Sequence, residues 1–163
     1  MEYEVEVLKK LQLVNSVLNK LGVRGIADTP CVALNESRNF PNYVEYSMRR
    51  DGAVRIDLAI SSDGMQVGID DMTEVFDWSD KQVSEETNAV AEVLEMVFSS
   101  AIEIKRCGSN YRRIRFLGEG GKCLRTCKYV SGFFLPISCR VYQYAPLLPK
   151  GGASVSGRRL ADF

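Results

Sequence analysis

The chain has 163 residues, 45% hydrophobic and 26% charged, with 21 basic side chains balancing 21 acidic ones, which is the size of one domain with its own core. Histidine is absent, and this excludes mechanisms that need an imidazole as general base, metal ligand or triad member. No apolar run approaches the roughly 18 to 20 residues that span a bilayer. The first twenty residues carry three glutamates where a secretion signal would carry an uninterrupted apolar stretch, so a cytoplasmic location is expected.

The zero net charge conceals a polarity along the chain. Residues 1–103 hold 9 basic against 19 acidic side chains, and residues 104–163 hold 12 against 2. Between Asp57 and Glu103, twelve carboxylates accompany one cation, Lys81. Such asymmetry concerns partners and encounter rates more than fold.

Taken in order, Val7, Leu8, Leu11, Val14, Leu18 and Leu21 fall on one face of a helix that Gly22 terminates. Residues 23–30 read as a loop before a short strand near Cys31 to Leu34. Strands are predicted over 43–49, 54–60 and 65–69, joined by turns containing Asp51-Gly52 and Asp63-Gly64, dipeptides that accept the positive φ of tight hairpins. The acidic stretch Asp70 to Asp80 follows, and then a helix N-capped by Ser84 that runs to about Ala101 with Val90, Leu94, Val97, Phe98 and Ala101 as its apolar stripe. Further strands are predicted over 102–106, 111–117 and 122–129, then less regularly over 133–144, with Gly118-Glu119-Gly120-Gly121 as a hairpin turn. The expected fold is α+β: an antiparallel sheet of hairpin-connected strands packed with an N-terminal and a central helix. Residues 1–148 form the domain and residues 149–163 a flexible tail.

An odd count of five cysteines, at positions 31, 107, 123, 127 and 139, suggests reduced thiols, and small thiols packing as apolar side chains is the ordinary use of such residues. On one strand Cys123 and Cys127 would lie about 13 Å apart, at about 3.3 Å per residue, too far for a disulfide or a shared metal. No pair has the spacing of a zinc knuckle. The glycines at 118–121 precede a strand rather than a helix, unlike a phosphate-binding loop. The acids around Asp57, Asp70 and Asp71 lack a recurring metal-loop spacing. The expectation is a protein with no catalytic site, no metal and no cofactor.

The carboxylates then read either as ordinary solvated surface or as a field of one sign that speeds encounter with a basic protein. In the second case the contact surface is Asp70, Asp71, Glu74, Asp77, Trp78, Asp80, Glu85, Glu92 and Glu95, with the aromatic pair Phe76 and Trp78 as anchor or, for Phe76, as core. The basic strands carrying Arg112, Arg113, Arg115, Lys122, Arg125 and Lys128, with Tyr111, Phe116 and Tyr129 nearby, read either as a face for single-stranded nucleic acid or as an internal counterweight to the acids.

The layout of an N-terminal helix, Asp-Gly hairpins, the stretch from Ile69-Asp70-Asp71 to Trp78-Ser79-Asp80, a helix, then Cys107-Gly108-Ser109-Asn110-Tyr111 and Gly121-Lys122-Cys123 on a returning hairpin resembles small bacterial immunity proteins, over residues 1–145. The resemblance implies a non-catalytic cytoplasmic antidote that neutralises one cognate toxin, often a basic nuclease. The same order of elements also looks like secretion chaperones, acidic dimers that hold an unfolded effector, although the basic C-terminal portion departs from that pattern. A nucleic-acid-binding module is the other alternative.

Overall fold

A computed structural model describes residues 2–26, 33–133 and 138–150, with the backbone alone for 33–39. Helix α1 spans Val5–Lys20 and buries Val7, Leu11, Val14, Val17 and Leu18, while Leu8 faces water. Its end is a Schellman motif: Gly22, at φ +83°, donates to the Asn19 carbonyl at 3.1 Å and Val23 to the Leu18 carbonyl at 3.0 Å. The buried face also contains Lys10, 1% exposed, whose ammonium donates to the Glu6 carbonyl at 3.2 Å, to the Ser62 carbonyl at 3.1 Å and to the Asp80 carboxylate. A buried ammonium is tolerated only when its donors are satisfied, and here they tie α1 to two other elements.

Five antiparallel strands form the first sheet in chain order: β1 (Ala33–Phe40), β2 (Tyr43–Arg49), β3 (Ile56–Ser61), β4 (Gly64–Ile69) and β5 (Met72–Ser79). Alternation sets the two faces. Val44, Tyr46, Met48, Ile56, Leu58, Ile60, Met65, Val67 and Phe76 enter the core beside α1. Gly52, at φ +78°, has the positive φ expected of its turn. Gly64 is needed for a different reason: a Cβ there would stand 2.3 Å from the Trp78 carbonyl oxygen.

Strand β5 lies where the sequence reading placed only an acidic stretch. Phe76 is buried, in the core position that the sequence allowed it, and Trp78 is half-buried, around exposed Asp77. The following helix is also divided. Ser79, not Ser84, is the N-cap, and a capping box with Gln82 starts α2 (Asp80–Glu85). Glu86 breaks the helical path at φ −116°, ψ 35°, after which α3 (Thr87–Ser99) buries Val90, Leu94, Val97 and Phe98. Ser84 donates its hydroxyl to the Asp80 carbonyl at 3.0 Å inside α2, and Ala101 belongs to the next strand.

The second sheet has the order β8-β7-β6-β9, all antiparallel, from β6 (Ala101–Cys107), β7 (Tyr111–Leu117), β8 (Cys123–Val130) and β9 (Cys139–Tyr144). Its inner face places Ile102, Ile104, Ile114 and Phe116 in the same core as the first sheet. The sheets meet along β5, where Phe76 stacks on Trp78 and tilts against Phe116, each at 5.8 Å between ring centres, and Tyr129 donates to the Val75 carbonyl at 3.2 Å. After β9 the chain returns to the core through Leu147 and Leu148, with the Leu148 amide on the Phe98 carbonyl at 2.8 Å. The fold is α+β, with two antiparallel sheets where one was expected. The strand segment at Cys31–Val32 and the tail beyond Lys150 lie outside the described residues.

Candidate binding surfaces

The second sheet neutralises part of the acidic stretch. Asp70, at φ +60° in the two-residue turn between β4 and β5, and its neighbour Asp71 sit against Arg106, and Arg112 stands 3.9 Å from Asp71. Arg55 adds a hydrogen bond to the Asp70 carbonyl. Asp80 holds Lys10, Glu85 lies 3.9 Å from Lys81, Glu95 3.0 Å from Lys150, and Asp57 2.9 Å from Arg55. Glu103 is shared by Arg113 and Arg115 at 3.2 Å each. The reading of one continuous unneutralised patch is therefore corrected. The basic strands offset the β4–β5 turn more than the helix, because Arg106 and Arg112 point from the inner face of the second sheet toward the end of the first.

Among the expected contact residues, Glu74, Asp77 and Glu92 form no ion pair among the described residues, whereas Asp70, Asp71, Asp80, Glu85 and Glu95 do. Trp78 is stacked on Phe76 and packed against the core. With Asp77 it also lines a hollow on the outer face of the first sheet. The nine positions thus do not form one site.

The structure does bring Asp77 together with residues of other strands. Outward positions on β3 and β4 are small or polar, namely Ala59, Ser61, Gly64, Gln66 and Gly68, so the outer face of the first sheet sinks between Tyr43 on one side and Asp77 on the other. Two adjoining hollows of about 410 and 210 Å³ result. Asp63, Gln66 and Asp77 line the larger, and Glu45, Asp57 and Thr73 the smaller, with Tyr43 and Ala59 common to both. The Tyr43 hydroxyl donates to Glu45 at 3.1 Å. Among the described residues neither hollow is lined by a lysine or an arginine, and the trough carries four carboxylates, of which Asp57 has Arg55 at its edge and Glu45 lies opposite Arg38 in the β1–β2 register. Tyr43, Glu45, Asp63 and Gln66 were not foreseen as site residues: the alternation of each strand marks them as outward, but only the strand register aligns them.

The outer face of the second sheet has the opposite sign, with Lys105, Arg113, Arg115 and Lys128. Burial pulls the Glu103 carboxyl upward, but the hydrogen bonds and charge of Arg115, with help from Gln143 and Arg113, outweigh it and hold the group below its ordinary value of 4.5. At the edge of this face the Cys123 sulfur lies 3.4 Å from the Thr126 hydroxyl, and hydrogen bonds from Thr126 and Arg115 lower its thiol below the usual range. Burial pushes the Cys127 thiol up and, with the neighbouring Cys127, pushes Tyr129 up to about 12.

The expectation of five reduced, buried thiols is also corrected. Cys107 and Cys139 face one another on β6 and β9 and are joined as a disulfide, Cys123 is exposed and Cys127 is half-buried. Cys31 lies outside the described residues. Among the described residues no group of three or more cysteines and carboxylates is arranged to hold a metal ion, and no helix is long and apolar enough to cross a membrane. No family model, no curated protein and no solved structure matches the chain.

Proposed function

We propose that this chain is a non-catalytic inhibitor that seats a cationic segment of a partner protein in the trough on the outer face of β2–β5, as an immunity protein does when it neutralises a basic toxin. The observation that carries the proposal is the lining of the trough: Asp63 and Asp77 line one hollow and Glu45 and Asp57 the adjoining one, with no basic lining residue among the described residues. A concave surface of one sign focuses its field, raising the encounter rate with the opposite sign and rejecting like charge. Asp63 and Asp77 make no ion pair among the described residues, so their charge is available to a partner. Glu74 and Glu92 add to the long-range field. The layout that resembles immunity proteins supports the same reading, and so does a sequence without histidine.

The proposed setting is the cytoplasm, where a self-protecting inhibitor meets its toxin. The Cys107–Cys139 bond favours an oxidising compartment instead, so the proposal requires this pair to be reduced in the cell.

The test is affinity capture from the native cell with the wild-type chain and with Asp63→Lys/Asp77→Lys as baits, followed by stopped-flow association with the captured protein. The wild type is expected to retain a basic protein whose on-rate falls steeply with salt, and the double variant to lose about tenfold or more of that rate. Capture of the same partner by both baits with equal on-rates would show that the trough is not the binding site.

A further inference from the structure

We propose a second binding site on the opposite sheet: the outer face of β6–β8 is a seat for single-stranded nucleic acid, with Lys105, Arg113 and Lys128 as its phosphate-binding ladder. The strand register carries the argument. Lys105 pairs directly with Arg113, and Arg113 directly with Lys128, which sets three cations side by side across three strands spaced about 4.8 Å apart. Like charges in directly opposed positions destabilise a sheet. A chain that merely needed a soluble face would alternate signs here, as it does one row along, where Glu103 lies opposite Arg115.

That glutamate is the only carboxylate on this face among the described residues. It is 12% exposed and already committed to Arg113 and Arg115 at 3.2 Å each, so it holds the two guanidiniums in place without cancelling the row. Lys105 and Lys128 form no ion pair among the described residues. An anion crossing the strands would meet each cation in turn and relieve their repulsion.

The occupant is recognised by what borders the ladder. Tyr111 occupies the next row of the same face. Just beyond β8, Phe133 is 81% exposed, with its carbonyl held at 3.1 Å by the Asn110 amide. Aromatic rings beside a cationic track suit unpaired bases, which stack while their phosphates are neutralised; an acidic polypeptide has no use for the rings. Two of the other candidates on the basic strands do not belong to this site. Arg112 and Arg125 are turned to the inner side, Arg112 toward Asp71 and Arg125 over the Phe76 ring at 5.0 Å.

The experiment is a fluorescence-anisotropy titration of a dye-labelled 20-nucleotide oligothymidylate with the full chain at 50 and 200 mM salt. Binding at low salt is expected, with a log–log salt slope of about −2 to −3, since each neutralised phosphate of a single strand contributes about −0.7. In Lys105→Gln/Lys128→Gln the slope should shrink by about 1.4 and affinity should fall. Loss of fold is excluded by the melting temperature, which relief of like-charge repulsion should leave unchanged or raise. Phe133→Ala should weaken binding about fivefold or more, with the slope unchanged. Asp63→Lys/Asp77→Lys should bind no more weakly than the wild type, which separates this site from the acidic trough.

No binding at 50 mM salt, or equal binding by Lys105→Gln/Lys128→Gln, would overturn the proposal. Competition by polyglutamate as strong as by unlabelled oligonucleotide would overturn it in favour of an acidic protein partner.

Discussion

The contact between Asp70 and Arg106 is the most informative place to perturb the fold, because it decides whether the acids serve the chain itself. Both side chains are under a third exposed, at 29% and 28%, whereas Asp71 is 53% exposed. A hydrogen bond between charged groups contributes about 1.5–3 kcal/mol, and the Asp71 contacts, discounted for solvent, contribute at most about 1 kcal/mol. Asp70→Asn keeps a residue that accepts the left-handed φ of +60° and keeps a neutral oxygen toward Arg106, so its expected loss is about 1–1.5 kcal/mol. Arg106→Met removes both carboxylate contacts and the guanidinium over the Tyr142 ring at 5.5 Å, for an expected loss of about 2–3 kcal/mol. The double variant should lose less than the sum, with a coupling energy of about 1 kcal/mol. Urea unfolding provides the assay: at a slope of about 2 kcal/mol per molar, Arg106→Met should lower the midpoint by about 1 M without changing the slope. Additive losses, each below about 0.5 kcal/mol, would show that the two sheets dock without this clamp and that the turn is free for a partner after all.

Two further outcomes follow from the second sheet. The folded state holds the Glu103 carboxyl below its ordinary value of 4.5. The resulting stabilisation is present above the unfolded value and disappears as pH falls through the lower folded value. Glu103→Gln should therefore be less stable than wild type at pH 7, and the gap should close below about pH 4 in urea melts; a gap independent of pH would contradict this. The Cys107–Cys139 bond closes a loop with a sequence separation of 32, which in the chain-entropy treatment stabilises by about 3.7 kcal/mol. Dithiothreitol, or Cys107→Ser with Cys139→Ser, should lower the urea midpoint of oxidised protein accordingly. Rapid alkylation in the native cell before lysis should label both thiols if the chain works in the cytoplasm, and neither if it works in an oxidising compartment.

Much of the fold was legible along the chain because the signals are local. The apolar stripes of α1 and α3, the Gly22 terminator and the turn at Asp51-Gly52 each depend on residues within a few positions of one another. The same locality explains the failures. The alternation of Phe76 and Trp78 is too short, among so many carboxylates, to mark Met72–Ser79 as a strand from the sequence. Ser84 reads as the helix start because Glu85 and Glu86 suit a first turn, whereas the capping box of Ser79 with Gln82 begins the helical segment five residues earlier. Gly64 was read as a positive-φ turn residue, although the demand on it comes from the Trp78 backbone of a different strand.

The sequence by itself determined an α+β domain of antiparallel strands and helices, an acidic first part, a basic second part and a chemistry without imidazole. Only the tertiary structure decided which charges meet. Arg106 reaches Asp70, 36 positions earlier in the chain, Cys107 finds Cys139, and Asp77 joins Asp63 and Glu45 in one trough, while Lys105, Arg113 and Lys128 are left side by side. Periodicity assigns a side chain to a face, but its neighbours on that face depend on strand order and register, and these are set by the burial of the whole core rather than by any segment of it.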